Sequence, residues 1–318
     1  MFTNILLVIG GFFLLVKGAD YLVGGSSSLA RKLGVPALVI GLTVVAFGTS
    51  APELFVNIVA SMNGSADIAI GNVLGSNLAN ILVILGVSSL AAPLALKSST
   101  VWKEIPFSLL AAILVLVLGA DMFLDGAPAS QLSRIDGLVL IAFFLVFLVY
   151  TFGIREAGEQ SRGKIEQTPL WKAILLIIGG LIALVLGGQF VVTGATAIAL
   201  ALGVSENLIG LTIVAVGTSL PELVSSFVAA RKGHDDIAIG NVVGSNIFNI
   251  FLVLGASAVI SPLPFNLVNV MDGFAVVTAT LLMFFLLFVG RRQALHRMEG
   301  SIFLLMYVGF IIFAIVRG

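Results

Sequence analysis

The chain repeats itself. Shifted by 169 residues, segment 41–80 falls on segment 210–249, and 25 of these 40 positions are identical without a gap. The first copy begins GLTVVAFGTSAPELF and ends DIAIGNVLGSNLAN; the second begins GLTIVAVGTSLPELV and ends DIAIGNVVGSNIFN. A weaker match continues upstream, from Gly18 against Gly187 to Gly34 against Gly203. Chance does not produce such a match, so the chain is a duplicated half. Whatever the first half folds into, the second must also be able to form.

Composition says what each half is made of. Of 318 residues 59% are hydrophobic and 10% charged, where a soluble domain carries roughly a quarter charged residues. Sixteen basic and sixteen acidic side chains are too few to cover a water-facing surface of this size. The mean hydropathy of +1.18 agrees. The absence of cysteine excludes a disulfide scaffold and a thiolate metal or redox site. The zero net charge gives no support for nucleic-acid binding. No GxxxxGK[ST] stretch occurs, so nucleotide-driven work has no local support. The two histidines, His234 and His296, sit in charged stretches outside the apolar runs. The expectation is an all-α integral membrane protein in a lipid bilayer, without cofactor, nucleotide or nucleic acid.

A helix needs about 20 apolar residues to cross a hydrocarbon core. Ten stretches qualify as spans: 4–24, 36–60, 68–90, 105–120, 135–153, 172–200, 207–230, 237–260, 270–289 and 301–316. The first lacks a basic start and a small-residue cleavage site and reads as a retained span rather than a signal peptide. Continuously apolar stretches exclude a β-barrel, whose strands alternate. Thirteen of the sixteen basic residues fall in the connections after spans 1, 3, 5, 7 and 9, against two, Arg134 and Arg317, on the other side. The positive-inside rule then puts the connections with the thirteen in the cytoplasm and both termini outside a plasma or inner membrane. Each half, 1–153 and 172–318, holds five spans around a cytoplasmic linker at 154–171. Five is odd, so the second half enters the membrane from the opposite side. The fold expected is two inverted-topology five-helix repeats, with helices 2, 3, 7 and 8 broken at the midplane, an architecture common in secondary transporters.

The repeated motifs carry the chemistry. Pro52 and Pro221 lack an N–H and clash with the preceding turn, so GTSAPE at 48–53 and GTSLPE at 217–222 are expected to break their helices within the membrane. Irregular backbone at that depth is tolerated only where it is buried or lines a cavity. Carbonyls freed there, such as those of Ala46 and Ala215, carry the negative end of a half-helix dipole and attract cations. Glu53 and Glu222 decide the reading, because an intramembrane carboxylate costs several kcal/mol and is functional by default. Thr49 and Ser50 share a helix face with Glu53, and Thr218 and Ser219 with Glu222. Lys17 is the sole basic residue well inside a span, and Asp20 three positions on can pair with it, leaving no basic partner for the two glutamates.

The second motif pair, 71–80 and 240–249, adds Ser76, Asn80, Ser245 and Asn249, read as cation ligands in preference to interhelical hydrogen bonds. For Asn72, Asn77, Asn241 and Asn246 the interhelical role is preferred. Gly71, Gly75, Gly240 and Gly244 form small-xxx-small patterns for close helix approach. The pooled donors are all oxygen, which suits hard cations such as Ca²⁺. Two carboxylates balance one divalent ion or two monovalent ones.

With these residues in hand, the chain resembles the sodium/calcium exchangers of the calcium:cation antiporter superfamily, in their compact prokaryotic form. The resemblance spans nearly the whole chain and rests on GTSAPE/GTSLPE and GNVLGSN/GNVVGSN. It implies Na⁺ and Ca²⁺ as transported substrates, Glu53 and Glu222 as Ca²⁺ carboxylates, and oxygen ligands from Thr49, Ser50, Ser76, Thr218, Ser219 and Ser245. The carbonyls of Ala46 and Ala215 and the amide of Asn80 complete the implied set. Some family members carry Asp where this chain has Asn249, which leaves two anionic ligands here. The function expected is Na⁺/Ca²⁺ antiport by alternating access. Its rivals are H⁺-coupled Ca²⁺ antiport on the same fold, a passive cation channel, and an intramembrane enzyme, for which the spans offer neither nucleophile nor histidine base.

Overall fold

In the computed structural model, residues 1–96, 100–124, 126–153, 169–203, 215–289 and 294–317 are described. They are helical apart from two pairs of two-residue strands. The elements in order are α1 (Phe2–Leu33), α2 (Ala37–Thr49), α3 (Ala51–Met62), α4 (Ala66–Ala91), β1 (Leu94–Ala95), α5 (Ile105–Leu118), α6 (Asp121–Leu124), β2 (Gln131–Leu132) and α7 (Arg134–Gly153). The second half contributes α8 (Leu170–Ala201), α9 (Ala215–Thr218), α10 (Leu220–Arg231), α11 (Asp235–Ile260), β3 (Leu263–Pro264), α12 (Leu267–Val289), β4 (Ala294–Leu295) and α13 (Arg297–Arg317). Among the described residues seven helices are long and apolar enough to cross a membrane, or eight if the bent pair α2 and α3 counts as one span. Of the other two expected spans, 105–120 forms the 14-residue α5, and 207–230 begins in residues outside the described set.

Burial sorts the helices into a centre and a shell. The most apolar window of α11 is 94% buried and that of α4 72%, against 17–33% for α1, α7, α8, α12 and α13. The outer helices turn Leu, Ile, Val and Phe outward, as in Ile9, Phe13, Val149, Ile182 and Leu305, which suits a lipid environment where apolar surface need not be hidden. Aromatic side chains wedge α11 in place: Phe251 meets Phe107 of α5 edge-on and stacks on Phe143 of α7 at 5.7 Å, while Phe248 meets Phe144 at 4.8 Å.

The two long helices α1 and α8, 32 residues each, pack antiparallel along a glycine seam. A Cβ placed on Gly11 would lie 2.7 Å from the Gly187 carbonyl, one on Gly18 2.8 Å from that of Gly180, and one on Gly25 2.8 Å from that of Ala173. Contact numbers rise along one helix as they fall along the other. Glycines seven residues apart leave backbone touching backbone. Helix α1 ends where Gly34 adopts φ 65° and its N–H closes onto Arg31, a left-handed cap that favours glycine.

Contacts between the halves come in matched sets. β1 pairs with β4 and β2 with β3, so each half lends a strand to the other. Asn77 donates to the Asn246 carbonyl at 3.1 Å and Asn246 to the Asn77 carbonyl at 3.4 Å. These two asparagines are 169 apart, the repeat offset, so equivalent residues of the two halves meet each other. Gly86 packs on Gly300 of α13, and Gly255, its equivalent, packs on Gly137 of α7.

The chain between α2 and α3 is interrupted at Ser50 (φ −84°, ψ 5°) and bends by 46°. Ser219 interrupts α9 and α10 with nearly the same angles, −87° and 5°. Pro52 and Pro221 occupy the first turns of the helices that follow. Helices 3 and 8 differ from expectation. α4 and α11 each run without a break, and carry π-helical turns at Asn80–Ile84 and Phe248–Leu254. Neither contains proline, so no ladder N–H is lost, and the helix widens by a residue instead of parting. Such turns occur frequently at functional sites.

Candidate functional site

Helices α2, α3, α9 and α10 bring the repeated GTS-x-PE motifs together against the buried α4 and α11. Glu53 and Glu222 are each 1% exposed, and their charges act on one another. The halves cross over here. Ser50 donates to Glu222 Oε1 at 3.1 Å across the repeat boundary, Thr49 also bears on Glu222, and Thr218 bears on Glu53. Each carboxylate is thus served by hydroxyls of the opposite repeat. Among the described residues no Lys or Arg pairs with either one.

The remaining expected donors are buried on the surrounding helices. Ser76 and Asn80 of α4 are 5% and 1% exposed; Ser245 and Asn249 of α11 are 0% and 1%. Asn80 donates to Asn246 Oδ1 at 2.9 Å, which spends its amide nitrogen and turns its oxygen elsewhere. The buried oxygens that accept no hydrogen bond of good geometry include both of Glu53, Oε2 of Glu222, the hydroxyls of Ser219 and Ser245, and Oδ1 of Asn80 and Asn249. These seven belong to residues expected as ligands; the hydroxyls of Ser26, Ser61, Ser88 and Thr196 and Oδ1 of Asn77 are in the same condition outside that set. A buried unsatisfied polar atom costs about 1–3 kcal/mol, so a group of such oxygens is suited to receive a cation. Carboxylate, hydroxyl and amide oxygens together form a donor set for a hard cation.

Three expectations need correction. The Ala46 carbonyl is not freed by the helix break: the Ser50 N–H donates to it at 3.0 Å and the Thr49 hydroxyl lies at 3.4 Å. Pro52 lacks the N–H that would donate to the carbonyl four residues back, so it is the Gly48 carbonyl that loses its helical donor. Ala46 keeps a lone pair, but it is not an orphan; Ala215 opens α9 at the equivalent position. Second, Asp20 does not pair with Lys17. It forms a 2.9 Å ion pair with Lys232 at the end of α10, because Asp20 faces α10 while Lys17 is exposed on the outer face of α1. Third, Gly240 and Gly244 do admit α2 closely, with Cβ positions 2.9 Å from the Leu38 carbonyl and 2.7 Å from that of Leu42. Gly71 and Gly75 have nothing within 4 Å among the described residues.

Asparagines read as interhelical do that work. Asn241 of α11 lies 3.0 Å from the Thr49 hydroxyl and donates to Ser225 at 3.0 Å and Ser226 at 2.9 Å, tying α2 to α10. Asn72 donates to Asn57 at 2.7 Å, and Asn57 in turn to the Ala69 carbonyl and to Ser257 of α11. Sequence reasoning missed Asn57, Ser225 and Ser226, which are polar inside apolar spans and detectable on that ground.

A cavity of about 470 Å³ leads to this cluster between α3, α8, α9 and α10. Pro52, Phe55, Gln189, Thr193, Thr218 and Pro221 are among its lining residues. Gln189 is a polar residue in mid-span that the sequence reading passed over.

Comparison with known proteins matches this architecture. The family model described as sodium/calcium exchanger protein matches residues 3–153 and 172–316. The chain belongs to the sodium/calcium exchanger family. It is 33% identical over 343 residues to the sodium/calcium exchanger MaX1 of Methanosarcina acetivorans, covering 98% of each. It is 40% identical over 271 residues to the inner membrane protein YrbG of Escherichia coli, covering 80% of this chain and 79% of that one. The solved structure of the sodium-calcium exchanger NCX_Mj soaked with Na⁺ and Sr²⁺ superposes with a TM-score of 0.84 at 34% identity, covering 98% of both chains. Exchangers are transporters, and the family places this chain in membrane transport, which points away from an enzyme.

Proposed function

We propose that this protein exchanges Na⁺ for Ca²⁺ across the inner or plasma membrane by alternating access. Glu53 and Glu222 would hold the divalent ion, with Thr49, Ser50, Ser76, Asn80, Thr218, Ser219, Ser245, Asn249 and the carbonyls of Ala46 and Ala215 completing the Ca²⁺ and Na⁺ shells. The observation that carries the reading is the pair of buried carboxylates without a basic partner among the described residues, each facing hydroxyls of the other repeat. Two negative charges demand two positive ones. One Ca²⁺ or two Na⁺ meet that demand at the same oxygens, and mutually exclusive occupancy is what couples two fluxes. The names of MaX1 and NCX_Mj support Na⁺ as the counter-ion.

The scaffold is read as ten spans in two inverted halves, 1–153 and 172–318, joined by a cytoplasmic linker at 154–171 with both termini outside. The antiparallel α1–α8 seam, the exchanged strand pairs and the meeting of Asn77 with Asn246 support a two-fold relation in the membrane plane, and the family match falls in the same two blocks. Alternating access draws support from the asymmetry around the site. Ala51, Val192 and Thr218 lie along the cavity and are partly or fully exposed, whereas their repeat equivalents Leu220, Val23 and Thr49 are 8%, 0% and 0% exposed. One approach is open and its mirror is shut. Exchanging the two would carry the site from one side to the other.

The test is ⁴⁵Ca²⁺ uptake by proteoliposomes loaded with Na⁺. Uptake is expected to follow the outward Na⁺ gradient and to vanish when choline replaces Na⁺ on both sides. Uptake driven equally by a pH gradient without Na⁺ would assign H⁺ coupling instead, and Ca²⁺ current without counter-ion would assign a channel.

A further inference from the structure

The two approaches to the site differ in more than openness. On the open face, the cavity wall carries Gln189 of α8, and Asn63 follows α3. Adding or subtracting the offset of 169 gives their counterparts on the shut face, Asp20 of α1 and Lys232 at the end of α10. There the two neutral polar residues have become an acid and a base, and they meet at 2.9 Å. The pair joins α1, the long outer helix, to α10, which carries Glu222. Arg31 and His234 stand within electrostatic range of each other on this face, and Lys232 near them. The other copy has Leu200 and Ser65 at those places. The second copy is the more charged one at this end, with Arg231, Lys232, His234 and Asp235 where the first has Met62, Asn63, Ser65 and Ala66, and among these charges Lys232 forms the ion pair that ties α10 to α1.

We propose that the Asp20–Lys232 ion pair is a latch on the shut face of the cation site, holding the protein in the conformation open between α3, α8 and α9. The proposal rests on the alternating-access reading above. Opening the shut face requires α1 to part from α10, and that breaks the pair. Closing the open face brings together Gln189 and Asn63, which offer no charge in return. The resting equilibrium is therefore biased toward the present state, with the basic side closed. Both side chains of the pair are partly exposed, 41% and 35%, so the bias is modest. An exposed pair of this kind changes an equilibrium by roughly two- to fivefold.

The chain has no cysteine, so single reporters can be placed cleanly. Val23 on the shut approach is 0% exposed, whereas Thr193 lines the open cavity and is exposed. Val23→Cys reports the shut face and Thr193→Cys the open one, read as rates of labelling by a charged maleimide in detergent. Asp20→Asn is expected to raise labelling of Val23→Cys roughly two- to fivefold and to lower that of Thr193→Cys. The swap Asp20→Lys with Lys232→Asp is expected to return both rates to the parent values. Building the pair on the other face, Gln189→Asp with Asn63→Lys, is expected to slow labelling of Thr193→Cys.

Unchanged rates in Asp20→Asn, or a swap that fails to restore them, would overturn the latch. If Asp20→Asn does not fold, the built pair decides alone: slower labelling of Thr193→Cys supports the latch and an unchanged rate overturns it. Labelling reports conformation without reference to flux. A protein that shows the shifts but no Na⁺-driven Ca²⁺ uptake sinks the exchange reading and leaves the latch, while normal exchange without the shifts sinks the latch alone.

Discussion

Placing a methyl group in the α1–α8 seam tests how the two halves are joined. At Gly11 the added Cβ would sit 2.7 Å from the Gly187 carbonyl oxygen, 2.7 Å from Val191 Cγ2 and 2.9 Å from the Val191 nitrogen. At Gly18 it would sit 2.8 Å from the Gly180 carbonyl and 3.0 Å from the Leu184 nitrogen. Ordinary contact begins near 3.4 Å, so each alanine pushes the helices apart by roughly half an ångström or more, against backbone that cannot step aside. Overpacking of this kind costs about 1–3 kcal/mol. Alanine returns about 1 kcal/mol through its better helix propensity, so one substitution nets between about zero and 2 kcal/mol. Gly10 is the control. It neighbours Gly11 on the same helix with nothing within 4 Å, so Gly10→Ala should gain the propensity term alone. The thermal midpoint in detergent should therefore rank Gly10→Ala at or above the parent, Gly18→Ala below it, and the Gly11→Ala, Gly18→Ala double variant lowest. A double variant as stable as Gly10→Ala would refute the seam and with it the antiparallel register.

Other perturbations separate the supporting network from the ligands. Asn246→Leu removes the acceptor for Asn80 and the exchange with the Asn77 backbone; it should cost about 1–3 kcal/mol in stability and weaken Ca²⁺ uptake by raising the concentration needed for half-maximal rate. Asn241→Leu frees Thr49, Ser225 and Ser226 from one another and should lower the thermal midpoint similarly. Burial first, then Arg31 and Lys232, hold the His234 imidazole below its ordinary value of 6.5. The unfolded chain then gains the proton before the folded one does, so stability is intact above about pH 6.5 and declines as pH falls below it. His234→Gln should flatten the thermal midpoint between about pH 7 and 5.5 relative to the parent.

Much of the site was legible because duplication and scarcity of charge isolate the same residues. Glu53 and Glu222 stand out as acids without a base in apolar spans, and the structure buries both with hydroxyls of the opposite repeat. The proline signals are local ones: Pro52 and Pro221 sit just after interruptions at Ser50 and Ser219. They misled where the signal was extended by analogy, since α4 and α11 lack proline and stay continuous. Asp20 illustrates a longer-range limit. Sequence spacing offered Lys17 as its partner, but a residue three positions away on a helix competes with any charge that packing delivers, and α10 delivers Lys232. The seam glycines Gly11, Gly18 and Gly25 recur every seven residues, a pattern visible in the sequence, yet its partner surface on α8 emerges only once the helices are placed.

Equilibrium ⁴⁵Ca²⁺ binding to the purified protein, with and without competing Na⁺, addresses the central claim most directly, because it asks whether the two buried carboxylates hold the cargo. The parent should bind Ca²⁺ and release it as Na⁺ rises. Glu53→Gln and Glu222→Gln should each lose specific binding, since either change leaves a single negative charge against a divalent ion in a buried site. Ca²⁺ binding that persists unchanged in the Glu53→Gln, Glu222→Gln double variant, or that ignores Na⁺, would contradict the account.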